Sequence, residues 1–70
     1  MLAFYISFGQ AHVHRVNGKT FDCDSLCRIY AHNEAAARQR AKEAFDMKWS
    51  FLYTEPELSY FPRGIIDLER

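Results

Sequence analysis

Hydrophobic and polar residues alternate over the first eight positions. Leu2, Phe4, Ile6 and Phe8 share one parity; Ala3, Tyr5 and Ser7 share the other. A period of two is that of a strand, so the first set is expected to face a core. Gly9 ends or bulges this strand. Alternation resumes with Ala11, Val13 and Arg15 against His12, His14 and Val16. Asn17-Gly18 then suits a type I′ turn, whose two central residues take positive φ. Residues from His12 to Phe21 are therefore expected to form a hairpin.

After the polar run Asp22-Cys23-Asp24-Ser25, residues 26–31 predict a further strand. Cys27, Ile29 and Ala31 alternate there with Leu26, Arg28 and Tyr30. The period changes in 33–48. Ala37, Ala41, Ala44 and Phe45 recur at helical spacing, with Arg38, Gln39, Lys42, Glu43 and Asp46 on the opposite side. Asn33 is a good N-cap, and Glu34 complements the positive end of the helix. Glu34–Arg38 and Lys42–Asp46 are opposite charges four residues apart. In 49–54, Trp49, Phe51 and Tyr53 alternate with Ser50, Leu52 and Thr54, and the aromatic set is expected to face the alanine stripe. Residues 55–70 read as a tail that docks on the sheet through Ile65, Ile66 and Leu68, as a short edge strand.

This order predicts one α+β domain over residues 1–70: a small antiparallel β-sheet with one α-helix packed on one face. The other face is left with Tyr5, Leu52 and either Tyr30 or Ile29, which makes it a surface for a second subunit, the tail or a ligand.

The chain has 70 residues and only two cysteines, too few for a disulfide framework. A domain this small has a thin core and usually needs a supplement. Aromatic residues make up 16% of the chain, enough to supply both a core and a contact face, so the expected supplement is a homodimer. Lys plus Arg equals Asp plus Glu, nine of each. That balance speaks against binding nucleic acid by bulk charge, and equally against mimicking it. The apolar start lacks a basic leader and a cleavage site, and no stretch reaches membrane-span length, so the expected location is the cytoplasm.

His12, His14, Cys23, Cys27 and His32 are all acceptable zinc ligands. His12 and His14 share a strand face, and Cys23 and Cys27 are separated by three residues. Strand-surface histidines and a buried core cysteine account for the same pattern, so neither a metal nor a cofactor is expected. Asp22 and Asp24 could join the histidines in a two-metal hydrolytic cluster, but a chain with one helix has little room to enclose one. Neither cysteine is placed at a helix N-terminus, where its pKa would fall. No catalytic residue is assigned. The basic residues Arg15, Lys19 and Arg28 could cluster on the hairpin side, and Arg38, Arg40, Lys42 and Lys48 run along the helix, but the helix also carries Glu43 and Asp46, the pattern of a solvated face. The aromatic run at Lys48–Tyr53 is first of all core, but Trp49 and Tyr53 also carry polar edges that want partners. With Gly9, Gln10, His12 and His14 they make the expected ligand or partner site. Tyr5, Tyr30 and Leu52 make the expected dimer face.

The chain also resembles a family of small proteins of tailed phages and prophages. The resemblance lies in an aromatic strand ending in Phe8-Gly9 with His12 just beyond, a strand closing on Ile29 and Ala31, a helix containing Ala37-Arg38, and Lys48-Trp49 followed by Phe51 and Tyr53. It spans roughly residues 3 to 54 and implies a cytoplasmic accessory protein of an infected bacterial cell. Such proteins often block bacterial immunity by binding a host defence protein, anti-CRISPR proteins among them. The expectation is thus a stoichiometric inhibitor and not an enzyme. Two other readings stand behind it. One is a sponge for a nucleotide immune signal held by Gly9, Gln10, His12 and Trp49. The other is a small nucleic-acid-binding regulator.

Overall fold

The computed structural model describes residues 1–69. In chain order the elements are β1 (Leu2–Ser7), β2 (His14–Val16), β3 (Lys19–Phe21), β4 (Ser25–Ala31), α1 (Glu34–Phe45), β5 (Phe51–Tyr53) and β6 (Gly64–Asp67), with a 3-10 turn at Leu58–Tyr60 before β6. The fold is α+β, as the hydrophobic pattern predicts. Four strands form a sheet in the order β5-β1-β4-β6, and β2-β3 form a separate hairpin.

The sheet is mixed, which corrects the expectation of a purely antiparallel one. β1 pairs antiparallel with β4 and β5, but β6 adds to β4 in parallel. The reason is connectivity. β5 and β6 run the same way at opposite edges, so the chain must cross the sheet between them. The link from β4 to β5 carries α1 over one face. A link travelling back across the sheet keeps the favoured right-handed sense only on the opposite face. Ser7 and Leu26 belong to that opposite face by alternation and are nonetheless buried, as such a crossing by residues 54–63 requires.

Local chemistry sets the element ends. Asn17 and Gly18 take φ of 53° and 75°, the type I′ geometry expected of Asn-Gly. The Asn33 side chain accepts a hydrogen bond from the Ala36 N–H at 2.8 Å, capping α1. Glu34 receives Arg38 at 2.9 Å. Asp46 departs from the predicted helix. It takes φ 60° at the C-cap, outside helical geometry, while its backbone N–H still donates to the Lys42 carbonyl.

The core lies between the sheet and a layer made of α1 and the hairpin. Phe4, Ile6 and Phe8 of the first strand, Cys27, Ile29 and Ala31 of β4, and Ala37, Ala41 and Phe45 of α1 are all buried in it. Alanines in the stripe let the helix approach closely, and the larger sheet residues fill the remaining space. Phe8, Phe21 and Phe45 pack with centroids 4.9–5.6 Å apart, joining sheet, hairpin and helix in one aromatic cluster. Leu68 is buried just beyond β6.

Leu2 keeps the core parity of β1 but is 59% exposed at the start of the strand. One face assignment changes. Leu52 is opposite Ile6 and packs against the core, so it faces the helix and not the dimer side. Phe51 and Tyr53 accordingly turn away from the helix. The predicted strand began at Trp49, but ordered pairing begins at Phe51; the parity of 51–53 is inverted, while Trp49, before the strand, stays on the helix side.

Candidate functional site

Alternation and register together leave one face of the sheet without helix. One row crosses all four strands there: Tyr53 of β5 is opposite Tyr5 of β1, Tyr5 is opposite Arg28 of β4, and Arg28 is opposite Asp67 of β6. The Arg28 Nε and Nη2 donate to the two Asp67 carboxylate oxygens at 2.6 and 2.9 Å, a bidentate pair. The Arg28 guanidinium also lies 5.5 Å from the centre of the Tyr30 ring. Hydrogen bonding to Asp67 raises the Arg28 pKa above its ordinary value, opposed by desolvation and aided by Tyr5. Tyr30 stands one step further along, opposite Ala3, and Phe51 stands opposite Ser7 on the other side of the row. This helix-free face, crossed in part by residues 54–63, is thus aromatic, with one cation and one anion that neutralise each other.

Of the two residues offered for this face in β4, Tyr30 is on it and Ile29 is in the core. Tyr5 and Tyr30 therefore stand where the pattern placed them, and Phe51 and Tyr53 take the position expected of Leu52.

The residues grouped as a ligand site separate in space. Gly9 adopts φ 66°, and a Cβ there would come within 2.6 Å of the Ser50 Oγ, so it is a close crossing of two segments. His14 Nε2 lies 2.6 Å from the Lys48 carbonyl, to which it donates as the Nε2–H tautomer. Its ring packs on Phe8 and Phe45 at 5.7 and 5.0 Å. Both residues tie the turn after β1 to the turn before β5. Gln10 is exposed and His12 half-buried in that same turn. Tyr53 belongs to the open face, whereas Trp49 lies on the helix side.

There Trp49 packs against the core edge and receives the Arg38 guanidinium 5.6 Å above its ring. Ala35, Arg38, Gln39, Lys42, Met47 and Trp49 line a shallow groove. Its lining carries two cations, Lys42 and Arg38, of which Arg38 is paired with Glu34. The Trp49 indole N–H is buried without a hydrogen-bond partner among the described residues.

Among the described residues, no group of three or more His, Cys, Asp and Glu side chains converges to hold a metal ion. Asp22 instead accepts from Arg63 Nη1 at 2.8 Å, and its other oxygen accepts the Asp24 N–H at 3.0 Å. Cys27 is buried, which pushes its thiol up to about 12, with the Asp67 carboxylate adding to the effect. Cys23 is exposed, and its thiol is also raised, by desolvation and then by Asp24. Neither shift favours a thiolate nucleophile.

A cavity of about 300 Å³ opens where β4 outruns β6, between Arg28, Tyr30, Arg40 and Leu68. Its charges are satisfied internally: Arg28 by Asp67, and Arg40 by Glu69 and the Tyr30 carbonyl. Among the described residues, no helix is long and apolar enough to cross a membrane.

The residues that sequence reasoning missed are Arg28 and Asp67. Arg28 read as one of the basic residues on the hairpin side and Asp67 as part of a tail; only the parallel register brings them together.

The chain matches no protein-family model, no curated protein and no solved structure to a significant degree.

Proposed function

We propose that this chain is an inhibitor of the phage accessory type, which acts by stoichiometric binding to a bacterial defence protein and without catalysis. The observation that carries the reading is the groove beside Trp49. It combines an indole, an exposed methionine, the Lys42 ammonium and the Arg38 guanidinium, the last paired with Glu34 at the groove's edge. Aromatic, methionine and arginine side chains are the ones that concentrate at protein interfaces. Its charge suits a partner surface that presents acidic groups around an apolar anchor. The resemblance to phage proteins makes a component of bacterial immunity the partner to test first, with a CRISPR effector at the head of the list.

The test is made in cells that carry an active CRISPR system and are challenged with a targeted phage. Expression of the chain is expected to restore plaque formation and to co-purify a subunit of the effector. The double variant Arg38→Glu, Lys42→Glu reverses the groove's charge at exposed positions and is expected to lose both effects while keeping its circular dichroism spectrum. Full protection by the variant overturns the assignment to the groove. A nucleotide released from the heated chain, with no captured protein, replaces the reading with that of a signal sponge.

A further inference from the structure

We infer that the free edge of β5 pairs antiparallel with the same edge of a second copy of this chain, joining two four-stranded sheets into one continuous sheet about a two-fold axis. The two edges of the sheet differ. Beside β6, Lys19 Nζ donates to the Asp67 carbonyl at 2.6 Å, and the Asn17 side-chain amide donates to the Leu68 carbonyl at 3.4 Å. Those carbonyls are engaged within the chain. β5 pairs with β1 on one side, and among the described residues no strand borders the other. An edge strand presents backbone N–H and C=O groups as a template for a further strand, and proteins blunt it with a charge, a proline or a covering segment. Phe51-Leu52-Tyr53 carries neither charge nor proline.

Charge selects the occupant. Lys48 and Glu55, both exposed, flank the apolar stretch at opposite ends. Antiparallel pairing centred on Leu52 therefore brings the Lys48 end of each chain to the Glu55 end of the other, and the two-fold axis makes each match twice. Parallel pairing in register would set like charges together. The whole chain has no net charge to drive copies apart.

The side chains are complementary as well. In this register Leu52 meets its own copy, Phe51 meets the partner's Tyr53, and Ser50 meets the partner's Thr54. Phe51 is 64% exposed, and its ring centre lies 6.1 Å from that of Tyr53. Pairing extends these two rings into an aromatic row along the helix-free side of the joined sheet, and cross-strand aromatic pairs stabilise a sheet. Both helices then lie on the other side. A seam centred on three residues is smaller than a standard interface of roughly 1,600 Å², so the pair is reversible.

The pairing rests on the β5 edge and does not depend on the target proposed above.

Sedimentation equilibrium of the full chain, from micromolar to millimolar concentration, tests the inference. The parent is expected to move from the 8.2 kDa of one chain to twice that mass. Phe51→Lys places a charge on the edge and is expected to weaken the dimer at least about tenfold with unchanged circular dichroism. Lys48→Glu and Glu55→Lys each set like charges together at both ends of the seam and are each expected to weaken it about threefold or more. The double reversal, Lys48→Glu with Glu55→Lys, is expected to restore it. Tyr30→Glu, on β4 and two strands from the edge, is expected to leave it intact. A parent that stays at the mass of one chain at millimolar concentration overturns the inference. So does a dimer that survives Phe51→Lys, one that neither single reversal weakens, one that the double reversal fails to restore, or one broken by Tyr30→Glu. Failure here leaves the plaque assay unaffected, so the two proposals fall separately.

Discussion

Arg28 and Asp67, 39 residues apart in sequence, face each other across the parallel pair β4-β6 and close a bidentate ion pair at 2.6 and 2.9 Å. The pair anchors the last strand to the middle of the sheet. Around it, Lys19 Nζ donates to the Asp67 carbonyl at 2.6 Å, and the Leu68 N–H donates to the Arg28 carbonyl at 3.2 Å. The hairpin turn, the sheet and the tail therefore meet at one position.

Breaking one partner takes the bidentate pair away from a half-buried charge, whereas removing both takes away the charges together. Arg28→Met and Asp67→Leu are each expected to destabilise the fold. The double variant is expected to be more stable than the sum of the two losses predicts. A double-mutant cycle in urea measures this, and strict additivity would show that the pair contributes no coupling.

Gly9→Ala is expected to cost about 1–3 kcal/mol, since a Cβ meets the Ser50 Oγ and the backbone sits at φ 66°. Ser50→Gly removes the steric contact but not the backbone strain. In that background Gly9→Ala should cost less, though still something, in equilibrium denaturation.

Trp49 is half-buried and its N–H is unsatisfied. Trp49→Phe keeps an aromatic ring and removes the orphan donor, so its stability is expected within about 1 kcal/mol of the parent. Trp49→Ala forfeits the packing and should cost about 2–4 kcal/mol. A Trp49→Phe loss as large as that of Trp49→Ala would mean that the N–H has a partner in solution.

Cys27 gives the fold an alkaline limit. Its thiol moves from an ordinary value near 9 to about 12 on folding, so the folded state holds the proton more tightly. The contribution is complete below pH 9 and is lost as pH rises from 9 towards 12. Cys27→Ala is expected to flatten the stability profile across that window. At pH 8 in native buffer, one thiol, Cys23, should react with a disulfide reagent, and the second only after unfolding. Rapid reaction of both would contradict the burial of Cys27.

His14→Phe retains ring packing on Phe8 and Phe45 and loses the bond to the Lys48 carbonyl. It is expected to be milder than His14→Ala, which loses both. Thermal melts of the two variants, with and without a chelator, check this. The melting temperature of the parent should not depend on the chelator, because His14 is engaged in packing and in a backbone bond.

Much of the architecture was legible in the chain itself, because it follows from local rules. Alternation placed β1 and β4, Asn17-Gly18 placed the hairpin turn, and Asn33 with the alanine stripe placed α1. Each of those signals depends on neighbours within a few residues. The parity of β5 was not legible. Trp49, Phe51 and Tyr53 are the more apolar set against Ser50, Leu52 and Thr54, so alternation alone pointed Phe51 and Tyr53 to the wrong side. Only pairing with β1, Ile6 against Leu52 and Tyr5 against Tyr53, decided which side went inward. The histidines illustrate the same limit. Two residues on one strand face could converge on a metal as easily as on a wall of rings, until Phe45 and the Lys48 carbonyl arrive from the far end of α1. The charged row on the open face was the least readable of all. Its members come from four strands, and a register between strands distant in sequence is set by the packing of the whole sheet, which no local pattern encodes.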